Sequence, residues 1–385
     1  MIRQTPKFTR LATGLLLLLF AATASAGPRE QARRIHDRIA GVPPSESTLD
    51  DMAALLPGNP QAAADIAMQD RQFYSVTLKN FASPWTNRDR NVFVPLNDYT
   101  ATVIGMIRDD VPFNQLLSAD IVYTAAGTAG LPAFSMSNND HYAQMEAQNL
   151  DLGAILVQTT QSAVTDLPPA ATAGVITTRA AAEAFFIAGT NRAMFRFTML
   201  NHLCNDMEQV QNTSYPPDRI RQDVSRSPGG DSRVFLNNCV GCHSGMDPFA
   251  QAYAYYTFDE DLGRIVYDNS QVHPKYFNND TNFEFGFVTP DDAWENRWRE
   301  GQNAILGFDA ARPGNGNGAK SMGEELANSD AFAQCQVKKV FRNVCLRDPV
   351  DSADRTQVQT MVANFKSNYL LKPVFADSAA YCMGD

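Results

Sequence analysis

The chain has 385 residues, with 32 Lys and Arg against 42 Asp and Glu, for a formal net charge of −10 at neutral pH. Such a length holds two domains, or one large domain with insertions. The acidic balance excludes nucleic-acid binding of the kind that rests on basic patches, because phosphate contacts need clustered Lys and Arg.

The first element is a leader. Arg3, Lys7 and Arg10 precede an apolar run from Leu11 to Ala22, and small residues follow at Ala24, Ser25 and Ala26. This is the pattern of a secretory signal peptide cut after Ala26. The run is shorter than the roughly 20 apolar residues a membrane span needs, and no Cys follows it to carry a lipid. Export to the periplasm is therefore expected, with no transmembrane segment after cleavage. Losing three basic residues leaves the mature chain more acidic still, which suits docking onto a basic partner.

"REQARRIHDRI", Arg29 to Ile39, has helical charge spacing, and His36 within it reads as a surface or capping histidine. "LDDMAALLPGNP" is a short helix ended by Pro57-Gly58, and "PQAAADIAMQD" starts another. An ordered loop follows around Trp85 and Phe93. "DYTATVIGMIRDDVPFNQLLSADIVY" then predicts two helices, the first with Tyr99, Val103, Met106 and Ile107 on one face and the second opened by Pro112. The Ala-, Thr- and Pro-rich stretch from Thr159 to Thr178 is the best boundary or long loop. It divides a helical N-terminal domain of unknown role, 27–175, from a second helical domain, 176–385. In the latter, helical periodicity runs through Phe195, Met199 and His202. Asp247 is placed to cap a helix beginning at Pro248. "GNGNG", Gly314 to Gly318, reads as a flexible loop before the last helices. Strand signals are few, so the fold class is mainly α.

The chemistry concentrates in "NNCVGCHSGMDP", Asn237 to Pro248. Cys-x-x-Cys-His is the attachment signature of c-type haem. Two sulfurs two residues apart face one side of a turn and can bond both haem vinyl groups, and the next residue aims its imidazole at the iron. Cys239 and Cys242 are thus expected as thioether anchors of one covalent haem c, with His243 as its proximal ligand. Structural zinc wants a second ligand pair, which is lacking. A thioredoxin-type dithiol wants a βαβ context, whereas this region is helical and turn-rich.

The sixth ligand decides between electron transfer and reaction at an open iron. Met246 follows His243 too closely to cross the ring. His202, on an apolar helix face, reads either as a hydrogen-bonded core histidine or as the distal ligand. Met322, after the glycine-rich loop, is the second candidate and also fits a core position. His273, beside Pro274, ranks last. Arg192, Arg196 and Arg264 are candidates for pairing the haem propionates, or for ordinary salt bridges.

The other four cysteines allow two disulfides among three connectivities. Cys335 and Cys345 fall on one predicted helix about 15 Å apart, beyond the roughly 7 Å a disulfide tolerates. Cys204 with Cys335 and Cys345 with Cys382 is the expected pairing.

These residues resemble the planctomycete-type cytochrome c domain proteins. The resemblance rests on Cys239, Cys242 and His243, on Met246-Asp247-Pro248, on Phe258-Asp259 with Gly263-Arg264, and on Ser329 to Cys335. It covers roughly 191–382, and "FDEDLGR" has an extra residue before its glycine. It implies a periplasmic haem protein that exchanges electrons with a redox partner protein, and it supplies neither a distal ligand nor a substrate. A haem enzyme with an open or weak sixth position, peroxidase-like, is the competing class. A partner-binding module with haem as sensor is the third.

Overall fold

The computed structural model describes residues 26–125, 127, 130–186 and 191–384. All of the expected leader but Ala26 lies outside them. Among the described residues no helix is long and apolar enough to cross a membrane.

The N-terminal helices form where the sequence places them. Helix α1, Pro28–Ala40, starts with Pro in its first turn and ends at Gly41, whose φ of +74° is a left-handed stop. It buries Ala32, Ile35 and Ile39 completely, and each Ile is worth about 1.5–3 kcal/mol in this setting. His36 is buried with them rather than on the surface. Its Nδ1 meets the Val42 carbonyl at 2.9 Å, just past the helix end. Helices α2, Glu46–Ala54, and α3, Pro60–Ala67, pack against α1, each capped by a side chain, Ser45 and Asn59.

Helix α4, Asp98–Arg108, is the central helix: every residue from Asp98 to Ile107 is buried. The second helix expected after it does not form as an α-helix. Asp110 takes a left-handed φ of +54°, and only a 3-10 turn at Phe113–Gln115 follows. The chain then enters β1, Val122–Thr124, which pairs antiparallel with β2, Val157–Thr159. Helix α5, Asp140–Ala147, lies between the two strands in sequence. Helices α6, Arg179–Phe185, and α7, Arg192–Thr198, follow the Thr- and Pro-rich stretch. The buried Asp98 carboxylate accepts from the Arg179 and Ala180 amides at 2.6 and 3.1 Å, so α4 caps α6. A π-helical turn, Met199–Leu203, extends α7 and carries His202.

Helix α8, Val240–Ala250, corrects the expectation for Asp247. The helix runs straight through Pro248 instead of starting there. A proline in a helix leaves the carbonyl four residues earlier without its donor. That carbonyl is Ser244's, and Arg297 Nη1 reaches it at 3.5 Å. The inner face of α8 is packed by aromatic rings: Phe249 stacks on Trp294 at 5.2 Å and tilts against Phe195 and Trp298.

Strands β3, Tyr256–Asp259, and β4, Arg264–Tyr267, form a hairpin closed by the Asp259–Arg264 pair. The extra residue in "FDEDLGR" is absorbed in the loop, where Asp259 Oδ1 accepts from the Leu262 amide and Gly263 takes a φ of +65°. Strand β5, Ala293–Glu295, pairs with β6, Asn315–Asn317, so the "GNGNG" stretch is an ordered strand rather than a flexible loop.

Helices α9, Gly318–Ala327, α10, Asp330–Cys345, α11, Ser352–Asn368, and α12, Leu371–Cys382, complete the mainly α fold. Helix α12 returns to the N-terminal helices. Phe375 meets Phe73 and Phe81 edge-on at 5.2 and 5.7 Å, and Arg38 donates to the Cys382 carbonyl at 2.9 Å. One contiguous apolar cluster runs from Ala32 to Ala379, drawing on residues on both sides of position 175. Two disulfides staple it, Cys204–Cys335 and Cys345–Cys382, with Cα separations of 5.3 and 5.5 Å. The helix that keeps Cys335 and Cys345 apart excludes one of the three connectivities, and of the two left this is the one expected.

Candidate functional site

Cys239 ends a π-helical turn, Phe235–Cys239, that runs directly into α8. Cys242 follows three residues later, so both thiols fall on one face of a helical segment. Neither is in a disulfide, and both are half-buried. Cys242 Sγ contacts the Met207 carbonyl at 3.5 Å, and Cys239 Sγ contacts that of Val234 at 3.8 Å. Burial, then Glu208 and Asp206, pushes the Cys242 thiol up from its ordinary value. Among the described residues no group of three or more His, Cys, Asp or Glu is arranged to hold a metal ion, so the pair lacks the company a structural zinc needs.

His243 is next on the helix, with 20% of its side chain exposed. Its Nδ1 lies 3.1 and 3.2 Å from the two carboxylate oxygens of Asp247, one turn on. Among the described residues its Nε2 has no hydrogen-bond partner. Asp247 is completely buried. Arg192 holds it bidentately, Nε to Oδ1 at 2.6 Å and Nη2 to Oδ2 at 2.9 Å. The same guanidinium grips Asp223 at 2.5 and 2.8 Å. The Arg221 amide adds a bond to Asp247 Oδ2 at 3.3 Å, and the Arg221 side chain lies over the Phe277 ring at 4.4 Å. Burial alone would raise the Asp247 carboxyl, but Arg192, His243 and Arg221 outweigh it and hold it well below the usual carboxylate range. Burial, then Arg192, pulls the Arg221 guanidinium down to about 10, so it stays charged at neutral pH.

The other candidates lie elsewhere. His202 is buried between Trp85 and Tyr99: its Nε2 meets the Tyr99 hydroxyl at 2.6 Å, and the Trp85 ring lies edge-on at 5.5 Å. No hydrogen bond or ring contact links it to His243 among the described residues. Met322 is fully buried in α9 and Met246 nearly so in α8. His273 is half-buried, and its amide donates to the Ala254 carbonyl at 3.1 Å. Arg196 pairs with Asp206 at 2.6 Å and Arg264 with Asp166 at 2.5 Å, so all three arginines considered for propionate pairing are held by carboxylates of the chain.

Sequence reasoning missed the role of Asp247. The signal was its spacing of four from His243, which on a continuous helix puts the two side chains together; Pro248 masked it by suggesting a helix start. Nothing in the sequence marks Asp223 and Arg221 as members of the same cluster.

Comparison with protein-family models, with curated proteins and with solved structures finds no match to this chain.

Proposed function

We propose that the chain is an exported monohaem c-type cytochrome that carries one covalent haem c on Cys239 and Cys242 and passes single electrons to a redox partner protein in the periplasm. One observation carries the reading. The two cysteines left out of the disulfides sit one helical turn apart, and the following histidine is anchored at Nδ1 with Nε2 unbonded within the described chain. Each thiol supplies the sulfur and the hydrogen of an addition across one vinyl double bond, so two thioethers form without oxidant. His243 offers Nε2 to the iron, and the bound group supplies one-electron chemistry. The two structural disulfides fit an oxidising compartment, and the sequence resemblance to planctomycete-type cytochrome c domains points the same way.

A second reading, a peroxidase-like enzyme with an open sixth position, is favoured by the Tyr99–His202 bond. That bond occupies the atom by which His202 would ligate. The test is the optical spectrum of the protein matured in cells competent for c-type haem attachment. A low-spin spectrum in both redox states supports the carrier, and its loss in His202→Ala identifies the distal ligand. A high-spin ferric spectrum that takes up added ligands supports the enzyme. A protein without haem ends both readings.

A further inference from the structure

Resting on the proposed haem site, we infer that Asp247 is the positioning residue of the proximal histidine, and that it holds the iron's reduction potential down. The geometry is specific. A helix spacing of four puts the Asp247 carboxylate against His243 Nδ1, and both oxygens lie within 3.2 Å of it. The carboxylate cannot swing away, because Arg192 grips both oxygens and is itself tied to Asp223. The helix backbone is equally fixed: Gly245, two residues after His243, admits the Trp298 indole so closely that a Cβ there would stand 2.2 Å from Nε1.

Two consequences follow from general coordination chemistry. A bond from Nδ1–H to a carboxylate fixes the tautomer that leaves Nε2 free to ligate, and it sets the ring plane. It also makes the imidazole a stronger donor, which favours the ferric state over the ferrous. Arg192 moderates the second effect, since its bonds to Asp247 at 2.6 and 2.9 Å are shorter than those of His243. Asp247 is therefore shared between an arginine and the ligand, with no proton transfer required.

The experiment is potentiometric titration of the haem-loaded full chain and its Asp247→Asn variant. Asparagine keeps the shape but brings no charge. The inference expects the ferrous state to gain at least tenfold over the ferric, an upward shift of 59 mV or more for a one-electron couple. A variant that binds haem with a potential changed by less than threefold in that ratio overturns it, because a merely structural carboxylate would not set the couple. Should Asp247→Asn fail to fold, the reduced wild-type protein decides by NMR. A downfield His243 Nδ1–H that resists solvent exchange supports the bond, and a freely exchanging proton overturns it. Wild-type protein without covalent haem fails at the underlying reading, and the inference falls with it; a haem-loaded protein with an unshifted variant fails at the inference alone.

Discussion

Tyr99 and His202 meet at 2.6 Å in the interior, hydroxyl to Nε2, across 103 positions of chain. The pair joins the central helix α4 to the π-helical turn that follows α7. Gln336 of α10 donates to the His202 backbone carbonyl at 3.0 Å, so three parts of the fold converge on one histidine. Removing the hydroxyl in Tyr99→Phe leaves a buried nitrogen without its partner. The expected cost is about 1–3 kcal/mol, read as a lower urea midpoint with an unchanged slope. An unchanged midpoint would show that the bond contributes nothing net.

The same histidine sets a pH dependence. Burial, then Lys339, holds His202 well below the ordinary histidine value of 6.5. The unfolded chain therefore takes up a proton at a pH where the folded chain does not. Stability from this group is complete above about 6.5 and falls as pH drops below it. Unfolding free energy measured between pH 7.5 and 5 should decline, and His202→Gln should flatten the decline. Parallel curves for the two proteins would refute this assignment.

The disulfides differ in the length of chain they close, 131 against 37 positions. Chain entropy alone assigns them about 5 and about 4 kcal/mol. Replacing Cys204 and Cys335 by Ser should lower stability at least as much as replacing Cys345 and Cys382. The opposite order, in denaturant melts, would show that packing around α12 outweighs loop closure.

Gly245→Ala places a methyl group where Trp298 already lies. Overpacking of this kind costs about 1–3 kcal/mol. The variant should unfold earlier and show altered tryptophan emission, since Trp298 is buried against Phe249 and Phe195. A variant with wild-type stability and emission would mean that the helix shifts to accommodate the methyl at no cost.

Much of the fold was legible because local signals and burial agreed. The helical charge spacing of Arg29 to Ile39 marked α1, which the structure runs from Pro28 to Ala40. The helix that separates Cys335 from Cys345 left them to find distant partners. Illegible features depended on residues far along the chain. Pro248 stays within α8, where the carbonyl it frees has Arg297 Nη1, from far along the chain, 3.5 Å away. "GNGNG" became a strand only because Ala293–Glu295 offers it an edge. His36 is buried because α1 packs against α2 and α3, which its own charged neighbours do not reveal. At the site, the Cys-x-x-Cys-His pattern was plain, but the carboxylate behind the histidine needed a continuous helix to be seen.

The central claim is that Cys239 and Cys242 hold haem covalently, and peptide mass spectrometry tests it most directly. Protein matured in cells competent for c-type haem attachment is digested with trypsin, which releases the peptide from Val234 to Arg264. The account predicts this peptide at the mass of one added haem, with both thiols resistant to alkylation. A peptide with Cys239 and Cys242 as free thiols or joined in a disulfide would contradict it.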